Sequence, residues 1–283
     1  MVWAVFQDGV HAYFLNFLEI FAKIGGLLEE PMPTIEEEFE KLRPIFDKWS
    51  KIGLIANKLD VKGLENFVKK GPAIIMGNHI GTLKDAFAIY KIMPRSFVFT
   101  SNKMIFDKNE LDFLVRKHLK RHLKGFGLFV NAIIKPIKIP AIDFVTQTVR
   151  KVGAIPVDLY SSKRDAIMKC QETVKAGKAL ILLQGRGRVM NSDPNPYVSP
   201  VRKGAAIISY NLFTNEGIAV PVTPLAIFGT HRPLFIPGKI KIRVGEPMYI
   251  SDYMGGGFEE TVERFRSAIE KTINALFFEI LRS

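Results

Sequence analysis

Over residues 59–281 the apolar positions switch repeatedly between two spacings. Short strand-like runs at 73–79, 96–100, 154–159, 179–183 and 218–228 are each bounded by turn residues. Between them, residues 83–92, 141–151 and 163–176 place apolar side chains three and four apart, as one buried helix face requires. Strands that alternate with helices predict a mixed, largely parallel sheet flanked by helices, because parallel neighbours need a long crossover. Residues 239–244 alternate apolar and basic and read as an edge strand, and 258–281 read as a closing amphipathic helix.

The first 28 residues have a different pattern. Trp3, Phe6, Val10, Tyr13, Phe14, Phe17, Phe21 and Ile24 recur at helical spacing, opposite a narrower stripe of Gln7, Asp8, His11, Asn16, Glu19 and Lys23. No Lys or Arg precedes Lys23, so a secretory leader is not expected, and Glu19 and Lys23 interrupt the stretch a spanning helix would need. Two readings stay open: a helix lying in a membrane interface with its aromatic face down, or a first helix covering the core. Pro31 and Pro33 close the segment, and Thr34-Ile35-Glu36-Glu37 is a capping box opening a helix to about Lys51. The predicted organisation is an N-terminal segment at 1–30 and one α/β domain at 31–283.

Charge narrows the partners. Forty Lys and Arg oppose 28 Asp and Glu, a formal charge of +12, so an anionic partner is expected. Within 113–142, Arg116, Lys117, Lys120, Arg121, Lys124, Lys135 and Lys138 have no acidic residue among them and are interleaved with Leu119, Leu123, Phe126, Leu128, Phe129, Ile133 and Ile134. Basic charge beside apolar bulk suits an anionic phospholipid surface, at the cytoplasmic face as a peripheral or monotopic protein. Nucleic acid is the rival partner, and the stretch carries no recognised nucleic-acid motif. His118 and His122 have metal-ligand spacing, but their cationic neighbours and the lack of a third ligand argue against a metal. Cys170, the only cysteine, excludes an intramolecular disulfide and falls in a helical pattern that predicts core packing.

Candidate chemistry gathers in Gly77-Asn78-His79-Ile80-Gly81-Thr82-Leu83-Lys84-Asp85. An apolar strand runs straight into His79, and a helix pattern follows. His79 therefore falls on a strand-to-helix turn at the carboxyl end of a strand, where α/β sheets bind ligands. Imidazole is the side chain best suited to proton transfer near neutral pH. Asp85 either orients His79 or caps the helix, with Thr82 as N-cap and Leu83 as the first helical residue. A second turn, Gln184-Gly185-Arg186-Gly187-Arg188, follows a buried strand and is either a phosphate cradle or an ordinary basic turn.

The order of these stretches resembles the glycerolipid acyltransferase family, the 1-acyl-sn-glycerol-3-phosphate acyltransferases in particular. Gly63-Leu64-Glu65-Asn66 and Gly71-Pro72-Ala73-Ile74-Ile75 introduce Asn78-His79 as that family introduces its Asn-His, and Gly153-Ala154-Ile155-Pro156-Val157-Asp158 matches a later strand. Leu182-Leu183-Gln184-Gly185-Arg186 stands where the family has its phosphate motif, Arg202-Lys203-Gly204-Ala205-Ala206 resembles the helix after it, and Val220-Pro221-Val222 the late proline-containing strand.

The resemblance implies an α/β acyltransferase fold and a His79 general base oriented by Asp85. Asn78, Lys103, Gln184, Gly185, Arg186 and Arg188 would bind substrate, with no metal or cofactor and with acyl-CoA or acyl carrier protein as co-substrate. The implied reaction acylates lysophosphatidic acid to phosphatidic acid. Alternatives are another lysolipid or lipid hydroxyl as acceptor, or a non-catalytic relative that binds anionic lipid. The chain departs from the family in three places: five residues rather than four separate His79 from Asp85, Gln184 replaces Glu, and Gly187 replaces Arg; relative to the family's pattern, 108–135 also looks like a basic insertion. The extra residue is expected to be absorbed at Ile80-Gly81, before the helix begins.

Overall fold

A computed structural model describes residues 34–123, 127–158, 163–185, 197–198, 200–232 and 236–283. Among these, seven strands form one sheet: β1 Asn57–Lys62, β2 Ala73–His79, β3 Phe97–Asn102, β4 Ile155–Val157, β5 Ala179–Gly185, β6 Val222–Phe228 and β7 Gly238–Val244. Their spatial order is β1-β7-β6-β2-β5-β3-β4, with every neighbouring pair parallel except β6 and β7. The expected N-terminal segment at 1–30 lies outside the described residues.

The helices are α1 Ile35–Leu54, α2 Thr82–Ile92, α3 Lys108–Leu123, α4 Gly127–Ile133, α5 Lys135–Lys151, α6 Arg164–Lys175, α7 Gly204–Glu216 and α8 Gly257–Arg282. At the start of α1, Thr34 and Glu37 form the reciprocal capping box: the Thr34 amide donates to Glu37 Oε2 at 2.8 Å and the Glu37 amide to Thr34 Oγ1 at 3.2 Å. Asp107 caps α3 in the same spirit, its Oδ1 accepting from the amides of Asn109 and Glu110.

The chain divides into two compact units, one holding 39–102 with 153–283 and the other 34–38 with 103–152. In the sheet unit, β2 and β5 are wholly apolar along their first halves because both of their faces are covered: Ile74, Met76, Leu180 and Ile181 are fully buried. Ile75, Ile181, Leu225 and Ile242 share one cluster with Phe39 of α1 and Ala88 and Ile89 of α2. Each such fully buried Ile or Leu contributes about 1.5–3 kcal/mol. The crossover from β2 to β3 passes over β5, and that from β5 to β6 passes back over β2. Crossovers leaving in opposite directions open a crevice at the carboxyl ends of this central pair.

Strand β7 corrects an expectation. Its strict alternation read as an edge strand, yet it lies between β1 and β6, and β1 is the edge. The basic residues that looked solvent-facing have protein partners instead. Lys241 Nζ donates to the carbonyls of Ile280 and Ser283 at the end of α8, where the helix dipole favours a cation. Arg243, 1% exposed, reaches Asp60, Glu279 and the Ser283 hydroxyl. A buried guanidinium with several acceptors is satisfied, and alternation alone does not tell that case from an exposed face.

In the helical unit, α5 begins six residues before the predicted 141, with Pro136 in its first turn, where a missing amide costs nothing. It turns Lys138 inward: this residue is 8% exposed and bonded to Asp112 at 2.5 Å and Asn131 at 2.6 Å, so it does not belong to the exposed basic surface expected of 113–138. Phe113, Phe129, Ile133 and Ile139 are exposed. Among the described residues no helix is long and apolar enough to cross a membrane.

Candidate active site

Strand β2 ends on His79, and the two residues after it carry the chain into α2. Gly81 is extended, with φ −121° and ψ 138°, and is the N-cap; Thr82, expected as the cap, is already helical. Ile80 and Gly81, where the sequence placed the adjustment, thus lie before the helix. Gly81 is also a close approach: a Cβ there would come within 2.3 Å of the Thr230 carbonyl oxygen, which no side chain tolerates.

This path puts Asp85 in the first turn of α2, facing back toward β2. Its Oδ2 lies 2.6 Å from His79 Nδ1 and accepts the amides of Ile80 at 3.1 Å and Gly81 at 2.9 Å. Capping and orienting His79, posed as alternatives by the sequence, are performed by one oxygen. Asp85 is fully buried, whereas the His79 side chain is 33% exposed. A buried carboxylate on Nδ1 selects the tautomer that donates from that nitrogen, leaving the Nε2 lone pair to accept a proton from outside. Asp85 Oδ1 has no hydrogen-bond partner among the described residues.

Asn78 occupies a different place from the one expected. It is 1% exposed, its Oδ1 accepts the Ile227 amide at 2.7 Å, and its Nδ2 donates to the carbonyls of Ile227 at 2.9 Å and Tyr197 at 3.1 Å. The β2–β6 ladder runs as far as Gly77 and Leu225. The Asn78 amide then bonds both backbone groups of Ile227, as another backbone would, and holds the strands where they part. Both amide hydrogens are taken up by backbone carbonyls, so in this structure the side chain braces β2 against β6.

The remaining predicted residues divide by location. Parallel register sets Gln184 beside Asn78 and Gly185 beside His79. Gln184 Oε1 accepts the Arg202 amide at 2.9 Å, linking the end of β5 to the approach to α7. Lys103 begins the short 3₁₀ turn Lys103–Phe106 after β3, in the helical unit. Arg186 and Arg188 lie outside the described residues. Cys170 is buried on α6, where loss of hydration pushes its thiol pKa up to about 12, as expected of a packing residue.

The sequence did not single out Tyr197, Thr230 or His231. The Tyr197 ring lies 5.4 Å from Phe228 and 5.7 Å from Phe277, while His231 lies 5.3 Å from Phe228. None of these belongs to a motif: Thr230 and His231 follow the end of β6, and Tyr197 meets Asn78 through its carbonyl. Thr230, whose buried hydroxyl has no partner among the described residues, backs Gly81.

No protein-family model matches the chain, and no curated protein matches it by sequence. Its structure is similar to the crystal structure of the 1-acyl-sn-glycerophosphate (LPA) acyltransferase PlsC from Thermotoga maritima, with a TM-score of 0.52 over 95% of this chain and 94% of that one, at 18% identity. The two chains share a fold. It is the α/β acyltransferase fold that the order of motifs led us to expect, and in this chain its sheet carries the His79–Asp85 pair at the end of β2.

Proposed function

We propose that this protein is an O-acyltransferase working at a membrane surface, moving a fatty acyl group from acyl-CoA or acyl carrier protein to the hydroxyl of lysophosphatidic acid. The observation that carries this reading is the half-exposed His79 ring held by a buried Asp85 at the carboxyl end of β2. His79 Nε2 takes the proton of the acceptor hydroxyl as its oxygen attacks the thioester carbonyl. Asp85 stabilises the imidazolium so formed. Collapse of the tetrahedral intermediate breaks the C–S bond, and the proton on His79 passes to the departing thiolate. The products are phosphatidic acid and a free thiol.

The membrane surface draws support from the net charge of +12 and from the exposed Phe113, Lys117 and Lys120 of α3 and Phe129 and Ile133 of α4. The test is His79→Ala, assayed in detergent with acyl-CoA and lysophosphatidic acid. Transfer is expected to fall by about 10²–10⁴ with an unchanged unfolding midpoint, since a partly exposed turn imidazole contributes little to the core. Activity within a few-fold of the unsubstituted protein would remove the assignment.

A further inference from the structure

We propose that Lys84, Asn57 and Arg232 form a binding site for an oxyanion of the phosphate class, at the start of α2 and beside the turn that carries the His79–Asp85 pair. Lys84 is the third residue of α2 and 2% exposed, one turn before the fully buried Ala88. Among the described residues its ammonium group makes a single hydrogen bond, to Asn57 Oδ1 at 3.1 Å. Three N–H groups thus have one neutral acceptor, and no carboxylate among the described residues pairs with them. Asp85, the next residue in sequence, is committed to His79 and two amides.

Further donors and positive charge stand nearby. Asn57 Nδ2 is buried without a partner among the described residues. Arg232 Nη1 makes one long bond, to the Pro237 carbonyl at 3.4 Å. Gly238 connects the two: a Cβ there would stand 3.2 Å from Arg232 Nη1 and 3.8 Å from Asn57 Oδ1. Burial, and then the nearby Arg232 charge, hold the Lys84 pKa below its ordinary value. The first turn of a helix is itself a positive pole, which favours anions and opposes a buried cation.

Topology explains the gathering. β1 and β7 are parallel to each other and β7 is antiparallel to β6, so their first residues, Asn57 and Gly238, come to the end of the sheet where β2 and β6 finish. Lys84 and Asp85 are successive residues of one helix, about 100° apart around its axis, so one element serves two chemistries. Phosphate fits the donor set, since its oxygens can accept from an ammonium, an amide and a guanidinium together. Arg232 is exposed and marks the solvent side.

This inference does not rest on acyl transfer, and its test reads binding alone. The full chain in detergent is titrated with inorganic phosphate at matched ionic strength, following the unfolding midpoint, which rises when a ligand binds the folded state. Lys84→Met keeps the side chain's length without its charge and should weaken phosphate binding roughly 10- to 100-fold, the worth of one charge-assisted hydrogen bond. Arg232→Gln, at an exposed position that tolerates substitution, should weaken it by about tenfold and carries the test if Lys84→Met fails to fold. Lys117→Gln, on the exposed basic helix, should leave it unchanged. A second titration with glycerol 3-phosphate identifies the source: tighter binding than inorganic phosphate points to a lipid headgroup, equal binding to the free ion. If the unsubstituted protein shows no phosphate-dependent rise, or Lys84→Met and Arg232→Gln both bind phosphate as it does, the proposal is wrong.

Discussion

The sheet unit and the helical unit spend apolar residues in opposite ways. Along β2, Ala73 to Met76 are at most 2% exposed, and the polar groups at the strand's end, Asn78 and Asp85, have fixed partners. Along α3 to α5, Phe113, Phe129, Ile133 and Ile139 are 48–66% exposed, among lysines that include Lys117 and Lys120. Apolar content alone does not separate a core from an interaction surface. What separates them is whether the polar residues between the apolar ones find acceptors within the fold, as at Asn78, or are left as unopposed like charges.

That contrast can be broken from either side, beginning where the expected effect is largest. Asp85→Asn keeps an oxygen for the Ile80 and Gly81 amides but removes the charge beside His79. Transfer should drop by about 10²–10⁴ while the unfolding midpoint moves little. Equal losses of activity and stability would mean that Asp85 serves α2 rather than His79. Asn78→Ala should act the other way, leaving the amide and carbonyl of Ile227 buried and unpaired at about 1–3 kcal/mol each. Chemical denaturation measures this, and a change below about 0.5 kcal/mol, as for an ordinary surface substitution, would rule out a brace between β2 and β6. In the helical unit, Lys117→Glu with Lys120→Glu should weaken binding to anionic vesicles by about 1 kcal/mol per charge or more, and added salt should shrink the difference. Vesicle binding that ignores both substitutions would remove lipid as the partner of this surface.

Much of the sheet unit was legible because its signals are local. The apolar run of β2 and the small-residue start of α7 each depend on neighbours within a few residues. The path from His79 to Asp85 was legible for the same reason, since a glycine one position before Thr82 can absorb an added residue. What escaped was set by strands distant in sequence. The bracing of β2 by Asn78 was not legible because nothing local shows that β6 ends beside it. The basic alternation of β7 looked like an edge because its acceptors lie on α8, some forty residues away. Lys138 looked exposed because its partner Asp112 belongs to another helix. Lys84 had a local clue, a cation four residues before Ala88 on the buried face of α2, whose meaning depends on Asn57 and Arg232 from two further strand ends.

The central claim, that the crevice beside β2 transfers acyl groups to lipid hydroxyls, is tested most directly by product analysis. The purified chain in detergent is given acyl-CoA and a panel of lysolipids, and the lipids are read by mass spectrometry. The account predicts phosphatidic acid from lysophosphatidic acid, formed faster than any other acylated product and absent with His79→Ala. No acylated lipid from any acceptor, with acyl-CoA or acyl carrier protein as donor, would contradict it.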